Sequence, residues 1–374
     1  LWMFLLSGLY VFTREPFYTP LLASFVLTVL FLAGFVRWHA KAIVPAALAL
    51  GALAVSKSFA DYSTSGLENP LTHLLLCLGL WLHLDGSTTP RRFGALVLVA
   101  ALGFLSRPDA LLMFLPLLVA SGSRVARALG WRRVAGPLVA GALPLLGWEL
   151  FSLFYYGSLV PNTAHAKLTT GIALVDYLGK GVDYFTISAL VDPVPFVVIL
   201  VALLGVLAQR RWDLVPALAA IALQLLYVLR IGGDFMVGRH FAAPLLVAVV
   251  ILARLRLARG PVLALAVLWA ACGLLPYSPV RTGADYAGPK ALLWFPARAP
   301  LRNGIADERA VYHRFTGLWN LRGRERTLAA PWAEGGRNLR RLIEEQQLER
   351  IVKERGTIGF YGYYAGPKAI LIDW

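Results

Sequence analysis

The chain has 374 residues, of which 58% are hydrophobic and 15% are charged, and its formal net charge is +15. Soluble domains carry about 25% charged residues, so the composition excludes a soluble enzyme and a disordered tail. The two cysteines, Cys77 and Cys272, lie inside apolar runs, which excludes a disulfide framework, and we predict a polytopic protein of the lipid bilayer.

Apolar runs recur along the first three quarters of the chain, and about 20 apolar residues span a bilayer as a helix. The runs lie near 1–12, 20–36, 42–55, 70–84, 93–105, 110–120, 134–156, 188–208, 214–230, 241–253 and 261–277. Several are shorter than a full span, so tilted or re-entrant pieces are expected among them. We predict about 9–13 transmembrane or re-entrant helices.

The loops between these runs alternate in charge. Every second loop is basic, with 13 basic and two acidic residues in total; these loops are 37–41, 85–92, 121–133, 209–213 and 254–260. The remaining loops, with seven basic and seven acidic residues, are 13–19, 56–69, 106–109, 157–187 and 230–240. Because Lys and Arg concentrate in short cytoplasmic loops, we predict that the second set is extracytoplasmic. The distribution of Lys and Arg between the loops thus explains the net positive charge by membrane topology, and no nucleic-acid partner is expected.

Residues from about 278 onward form no membrane-length apolar run, and the alternation predicts that they are extracytoplasmic. Residues 337–355 have the apolar spacing of an amphipathic helix, and residues 358–373 have the pattern of a strand, a Gly-Pro turn and a second strand. We predict a membrane domain of residues 1–277 and the start of an extracytoplasmic α/β domain in residues 278–374. Leu1 lies within an apolar run, so we expect a fragment at both ends.

Unusual polar residues concentrate in the loops predicted to be extracytoplasmic, in segments 65–70, 106–109, 155–167 and 232–240. Read as structural features, these segments are a capped helix start, an ion pair at a proline turn, a helix-to-loop turn and a tight glycine loop. Read as a site, they offer cations and hydrogen-bonding groups at the membrane boundary. The cations are Arg107, Lys167, Arg239 and His240, and the other polar groups are Glu68, Asn69, Asp109, Asn162 and Asp234.

A ligand with a phosphate and several hydroxyls matches these groups, because guanidiniums bind phosphate oxygens as a planar fork. Its place at the membrane boundary indicates a lipid-linked phosphate that carries a sugar. Gly232 and Gly233 would let the backbone approach such a ligand closely. No ligand spacing demands a metal and the sequence identifies no cofactor, although acids near a phosphate permit a divalent cation.

Five segments together resemble the terminal β-arabinofuranosyltransferases and the related flagellar motor control proteins, which belong to the GT-C class of multi-pass glycosyltransferases. They are Ser-Gly-Leu-Glu-Asn-Pro at 65–70, Ser-Arg-Pro-Asp-Ala-Leu-Leu at 106–112, Phe-Tyr-Tyr-Gly-Ser-Leu-Val-Pro-Asn-Thr-Ala-His-Ala-Lys at 154–167, Gly-Gly-Asp-Phe-Met-Val-Gly-Arg at 232–239 and Gly-Tyr-Tyr-Ala-Gly-Pro-Lys at 362–368. The resemblance extends over nearly the whole chain.

The resemblance implies an inverting transfer, at the bacterial cytoplasmic membrane, from a polyprenyl-phosphate sugar to an extracytoplasmic glycan or glycolipid. Arg107, Lys167, Arg239 and His240 would then bind the donor phosphate, and the other five candidates would hold the sugar or order the site. In this class an aspartate in the first extracytoplasmic loop acts as general base. That loop has no match here, so the base is either upstream of Leu1, where we expect it, or lost, and we name no catalytic residue.

Two other functions are compatible with the sequence. A non-enzymatic membrane scaffold, in flagellar motor or envelope assembly, would use the same cleft without forming a glycosidic bond. A lipid or polysaccharide transporter is less favoured, because transporters usually have internal repeats and none is found here.

Overall fold

The computed structural model describes residues 1–159, 171–282, 300–302, 304–318, 330–354 and 358–372. These residues divide into two compact units. The first holds the described residues of Leu1–Gly283 and Gly288–Glu308, and the second holds those of Arg309–Trp374. Residues 300–302 and 304–308, which the sequence analysis assigned to the second domain, therefore group with the helices of the first unit.

The first unit consists almost entirely of helices. In chain order they are α1 (Trp2–Thr13), α2 (Tyr18–Trp38), α3 (Ile43–Val55), α4 (Lys57–Ser63), α5 (Asn69–Leu84), α6 (Pro90–Ser106), α7 (Leu111–Leu129), α8 (Arg132–Tyr156), α9 (Leu174–Val191), α10 (Val194–Ala208), α11 (Val215–Arg230), α12 (Ala242–Leu252), α13 (Arg259–Gly273) and α14 (Pro279–Thr282). Short 3-10 turns at Pro108–Ala110, Trp212–Leu214 and Arg239–Phe241 lead into α7, α11 and α12. The strands β1 (Pro300–Arg302) and β2 (Ile305–Ala306) pair antiparallel.

Four helical segments of the described chain are long and apolar enough to cross a membrane: Tyr18–Trp38, Pro108–Leu129, Arg132–Tyr156 and Trp212–Arg230. Two bent pairs bring the number of candidate spans to as many as six: α3 with α4, bent by 72°, and α9 with α10, bent by 98°. Shorter apolar helices account for most of the remaining predicted runs. The prediction of a mostly helical fold is thus confirmed, and the long apolar helices are compatible with the predicted polytopic membrane protein. The side of the membrane on which each loop lies stays a prediction.

The predicted single run 188–208 is wrong, because the chain turns sharply between α9 and α10. Asp192 and Pro193 occupy the break, and proline cannot continue the backbone hydrogen bonding of α9. The Asp192 carboxylate accepts hydrogen bonds from Ser56 Oγ and from Ser58 N, each at 2.7 Å. It also accepts from Val194 N at 3.2 Å. One buried carboxylate therefore ties the break of this pair to the break between α3 and α4.

Two predicted loops also contain helices. The second half of loop 157–187 belongs to α9, and loop 56–69 contains α4. Neither helix shows in the hydropathy pattern, because α9 carries three charged residues among its first ten and α4 is one of the shortest helices of the unit.

Helix α12 lies at the centre of the unit. Ten of its 11 residues are buried, and it packs against α3, α5, α10 and α11. A helix that is apolar all round is typical of such a central position. The turn that begins α12 consequently brings Arg239 and His240 into the middle of the surrounding helices.

The second unit contains helices and a small sheet. After α15 (Glu308–Thr316), which starts in the first unit, come α16 (Pro331–Glu345), β3 (Ile351–Glu354), α17 (Gly359–Ala365) and β4 (Ala369–Ile372). β3 and β4 are parallel, with Ile351 opposite Ala369, and α17 connects them. Leu339, Ile343, Tyr361 and Ala365 form the core.

Two details of the predicted α/β pattern are wrong. The predicted helix 337–355 ends at Glu345, and residues 351–354 form a strand; the first strand predicted within 358–373 is helix α17. Its aromatic residues have strand propensity, but α17 packs against α16, and this tertiary contact overrides local preference. The extracytoplasmic position of this unit stays a prediction.

Candidate functional site

Three helix starts meet at one end of the first unit. Glu68 is the N-cap of α5, Asp109 lies in the turn before α7, and Arg239–Phe241 is the turn before α12. Pro70 and Pro108 favour two of these starts, because the first turn of a helix does not need their missing N–H. Since unpaired N–H groups give a helix start a partial positive charge, this end of the unit favours carboxylates and would favour a bound anion.

Arg107 and Asp109 form a bidentate ion pair in this cluster. Arg107 Nε donates to Asp109 Oδ1 at 3.1 Å, and Nη2 donates to Oδ2 at 2.8 Å. Gln224 Nε2, from α11, donates to the same Oδ2 at 3.0 Å. Both charged side chains are only 12% exposed. The pair is therefore largely withdrawn from water, and either charge alone would be costly to bury.

Arg239 approaches the cluster from the α12 side. Its Nη2 donates to Glu68 Oε1 at 2.9 Å, and its Nη1 donates to Asp234 Oδ2 at 3.3 Å. Glu68 Oε1 is also 3.6 Å from Arg107 Nη1, so both guanidiniums face this one carboxylate oxygen. Arg239 is 20% exposed, which makes it the more accessible of the two cations.

His240 has a defined tautomer in this arrangement. Its Nδ1 lies 3.3 Å from Arg107 Nη2. Because a guanidinium only donates hydrogen bonds, Nδ1 accepts, and the proton of the neutral ring is on Nε2. That Nε2 is buried without a hydrogen-bond partner in the described part of the chain, at 3.7 Å from Asp234 Oδ2. Arg239 Nε is likewise buried without a hydrogen-bond partner in the described residues, so the site holds two buried N–H donors whose hydrogen bonds are not made within the described part of the chain.

The loop that carries Asp234 is braced by a buried tyrosine. Tyr184 Oη donates to Met236 O at 2.9 Å. Gly233 has a φ of +76°, and a Cβ there would lie 2.3 Å from the Tyr184 ring. The close approach that the sequence analysis expected between this glycine and a ligand is therefore an approach to the protein's own tyrosine.

The short segment before α15 supports the same loop. Ala306 forms a β-bridge with Met236. The next residue, Asp307, pairs with the buried Lys57 at 3.1 Å. Burial raises the pKa of the Glu308 carboxyl above its ordinary value, and the neighbouring Asp307 charge raises it further.

The cavity inside the cluster is small. It has a volume of about 10 Å³, which is room for a single water molecule, and Thr72, Asp109 and His240 contribute to its lining. A phosphate group does not fit there, so a phosphate would have to bind at the exposed edge beside Arg239 and Glu68.

With His240 neutral, two guanidiniums face three carboxylates, and the cluster carries a formal charge of −1.

Six of the nine candidate residues are brought together in this cluster; they are Glu68, Arg107, Asp109, Asp234, Arg239 and His240. Asn69 is buried at the start of α5, and its Oδ1 has no hydrogen-bond partner in the described residues. Asn162 and Lys167 lie outside the described residues. The sequence analysis missed Gln224 and Tyr184; a lone amide within the apolar run 214–230 was the available signal for Gln224.

The described residues contain no group of three or more His, Cys, Asp or Glu side chains arranged to hold a metal ion. The carboxylates of the cluster instead face guanidiniums, which occupy the positions a cation would take.

These observations define a helical protein of membrane type with a charged cluster at the starts of three helices. The chain is 33% identical, over 221 residues, to a Mycobacterium tuberculosis protein named terminal β-(1→2)-arabinofuranosyltransferase, a match that covers 50% of this chain and 34% of that protein. It is 36% identical, over 136 residues, to the protein of the same name from Corynebacterium glutamicum, covering 31% of this chain and 19% of that protein.

The resemblance to terminal β-arabinofuranosyltransferases that the five segments predicted is thus confirmed. The chain spans about a third of the first curated relative and about a fifth of the second. No family model and no solved structure matches it.

Proposed function

We propose that this chain is part of a GT-C-type membrane glycosyltransferase. It would transfer a sugar, with arabinofuranose as the first candidate, from a polyprenyl-phosphate donor to an extracytoplasmic glycan or glycolipid, with inversion. The observation that carries the proposal is that Arg107 and Arg239 converge on Glu68 at the starts of three helices. The printed names of the two relatives support the sugar transfer.

The chemistry of the donor explains why two guanidiniums are suited to this place. When the glycosidic bond to phosphate breaks, negative charge develops on the departing lipid phosphate. Preorganised donors that face this charge stabilise the transition state, and guanidiniums are strong donors to phosphate oxygens. Arg239 is 20% exposed and would face these oxygens directly at the edge of the cluster.

The carboxylates would position the cations. Asp109 holds the Arg107 fork through two hydrogen bonds, and Asp234 and Glu68 orient Arg239. This leaves the cluster with a formal charge of −1, which opposes an incoming phosphate. In our proposal Lys167 supplies the compensating positive charge, the buried Asn69 orders the site, and Asn162 holds a sugar hydroxyl.

None of the three clustered carboxylates is proposed as the catalytic base. Glu68, Asp109 and Asp234 all direct oxygens at guanidiniums, whereas a base must reach the acceptor hydroxyl. The base in our proposal is a carboxylate outside the described residues, as the family resemblance implies. The protein would lie in the bacterial cytoplasmic membrane, and the loop charges indicate an extracytoplasmic position for the cluster.

A transfer assay with one matched pair of variants tests the proposal. The purified complete protein receives a radiolabelled polyprenyl-phosphate arabinose and an arabinan acceptor, and the product is analysed for a new glycosidic bond. Arg239→Gln is expected to reduce turnover at least tenfold. Arg92→Gln is the control, because Arg92 has the similar exposure of 18% and also pairs with a carboxylate, Asp85, at 3.1 Å.

Equal turnover in both variants would refute the phosphate-binding role of Arg239. Donor that is bound but never consumed would favour the scaffold, and labelled lipid that crosses the bilayer of proteoliposomes without a new bond would favour the transporter.

A further inference from the structure

A second cavity lies between α7 and α11, away from the charged cluster. It is an open groove of about 630 Å³. Its polar end is at Arg124, which is 15 residues from Asp109 along a nearly continuous helical segment. At 1.5 Å per residue this separation is about 22 Å, so the groove opens toward the opposite end of the unit. Nothing in the proposed transfer uses it.

The walls of the groove are apolar along most of their length. On the α7 side, lining residues run from Leu115 to Arg127, which is about 18 Å of helix. The apolar lining residues are Leu115, Pro116, Val119, Ala120, Val215, Pro216 and Leu223. A groove of this length and character suits a single acyl chain.

The polar end of the groove carries uncompensated positive charge. Arg124 Nη2 donates to neutral acceptors, His83 O at 2.7 Å and Ser121 Oγ at 3.1 Å, and its buried Nε has no partner among the described residues. Arg127 is exposed and forms no ion pair within the described part of the chain. The one acid of the lining, Asp213, is paired with Arg211 at 2.7 Å.

We infer that this groove binds one anionic phospholipid, with its phosphate at Arg124 and Arg127 and one acyl chain between α7 and α11. A lipid supplies both parts of the ligand that the groove requires, an anionic oxygen cluster and a connected hydrocarbon chain. Basic pockets between membrane helices bind anionic head groups in this way. Trp212, which also lines the groove, is an aromatic residue of the kind found at the membrane–water interface. The inference does not depend on the proposed transfer activity.

Native mass spectrometry of the complete protein tests the inference. The protein is released from mixed micelles that contain phosphatidylglycerol and phosphatidylcholine with the same acyl chains. The wild type is expected to retain one phosphatidylglycerol at least fivefold more often than one phosphatidylcholine.

Two variants separate the charge from the groove. Arg124→Gln/Arg127→Gln is expected to abolish the preference for phosphatidylglycerol. The control Arg132→Gln/Arg133→Gln is expected to keep this preference, because it removes the same charge from exposed arginines outside the groove lining. Because Arg124 also bonds to α5, a second pair leaves the charges in place. Val119→Trp fills the groove and Val139→Trp does not; these valines are 60% and 56% exposed, so both variants are expected to fold.

Loss of the retained lipid in Val119→Trp but not in Val139→Trp supports the inference. Equal retention of the two lipids by the wild type, or equal losses in each variant and its control, would overturn it.

Discussion

Replacing Arg107 alone is expected to damage the fold as well as any activity. In Arg107→Met, Asp109 keeps the hydrogen bond from Gln224 but loses the bidentate partner that balances its charge. Glu68 is less affected, because it retains Arg239 at 2.9 Å. Removing one partner of a buried pair costs roughly 3–5 kcal/mol, and the 12% exposure of both side chains places this pair in that class.

A second substitution identifies the group responsible. Asp109→Asn removes the orphaned charge and keeps an oxygen that can accept from Gln224, so Arg107→Met/Asp109→Asn is expected to recover roughly 1–3 kcal/mol relative to Arg107→Met. Glu68→Gln in the same Arg107→Met background is the matched control and is expected to recover nothing, since Glu68 still has a cation.

The assay is denaturant unfolding of the purified protein in detergent, followed by tryptophan fluorescence, with sugar transfer measured on the same samples. The reasoning is refuted if Asp109→Asn and Glu68→Gln have the same effect in the Arg107→Met background. Transfer is expected to stay absent in the rescued variant, because the guanidinium is still missing. Near-normal turnover there would exclude Arg107 from the donor site.

Three further predictions concern the surroundings of the cluster. Gln224→Leu keeps the side-chain volume but removes the hydrogen bond to the Asp109 carboxylate, and it is expected to lower the free energy of unfolding by about 1.5–3 kcal/mol; an unchanged denaturation midpoint would contradict this contact. Gly233→Ala is expected to lower the free energy of unfolding more than Gly157→Ala does, because both positions have positive φ but a Cβ meets a buried tyrosine ring only at Gly233. The strained backbone accounts for about 1–2 kcal/mol at either position, and displacement of the ring adds roughly 1–3 kcal/mol at Gly233. Equal shifts of the melting temperature in the two variants would contradict this packing. Glu308→Gln is expected to raise the free energy of unfolding at pH 7 and to have little effect below pH 4. The raised pKa of this carboxyl means that the folded state favours the protonated form, so the wild type loses stability as the pH rises above the ordinary value of 4.5. A stability difference between variant and wild type that is the same at pH 4 and at pH 7 would contradict the raised pKa.

The sequence predicted which residues could meet in the cluster and the local pair of Arg107 with Asp109, but not the pairs between distant segments. Loop alternation assigned segments 65–70, 106–109 and 232–240 to the same side of the membrane, and the Asn-Pro dipeptide indicated a helix start. The ion pair between Glu68 and Arg239 joins residues 171 positions apart. Such a contact depends on how helices pack, which hydropathy does not encode.

The failures of the sequence analysis have specific physical causes. Pro193 ends the backbone hydrogen bonding of α9 within a mostly apolar run, and the Asp192 carboxylate at the break is held by distant hydrogen-bond partners, Ser56 and Ser58. The aromatic segment of α17 has strand propensity, yet it serves as the connection between two parallel strands, which always need a crossover. Gln224 was missed because one amide in an apolar helix does not reveal what it faces.

The central claim is that the donor phosphate binds at the exposed edge beside Arg239 and Glu68. The most direct test is photolabelling of the complete protein with a polyprenyl phosphate that carries a diazirine on its first isoprene unit, followed by peptide mapping. The account predicts labelling near Asp234 and the half-exposed Phe235, competed by unlabelled polyprenyl phosphate and lost in Arg239→Gln. Label recovered only from the groove between α7 and α11, or unchanged in Arg239→Gln, would contradict it.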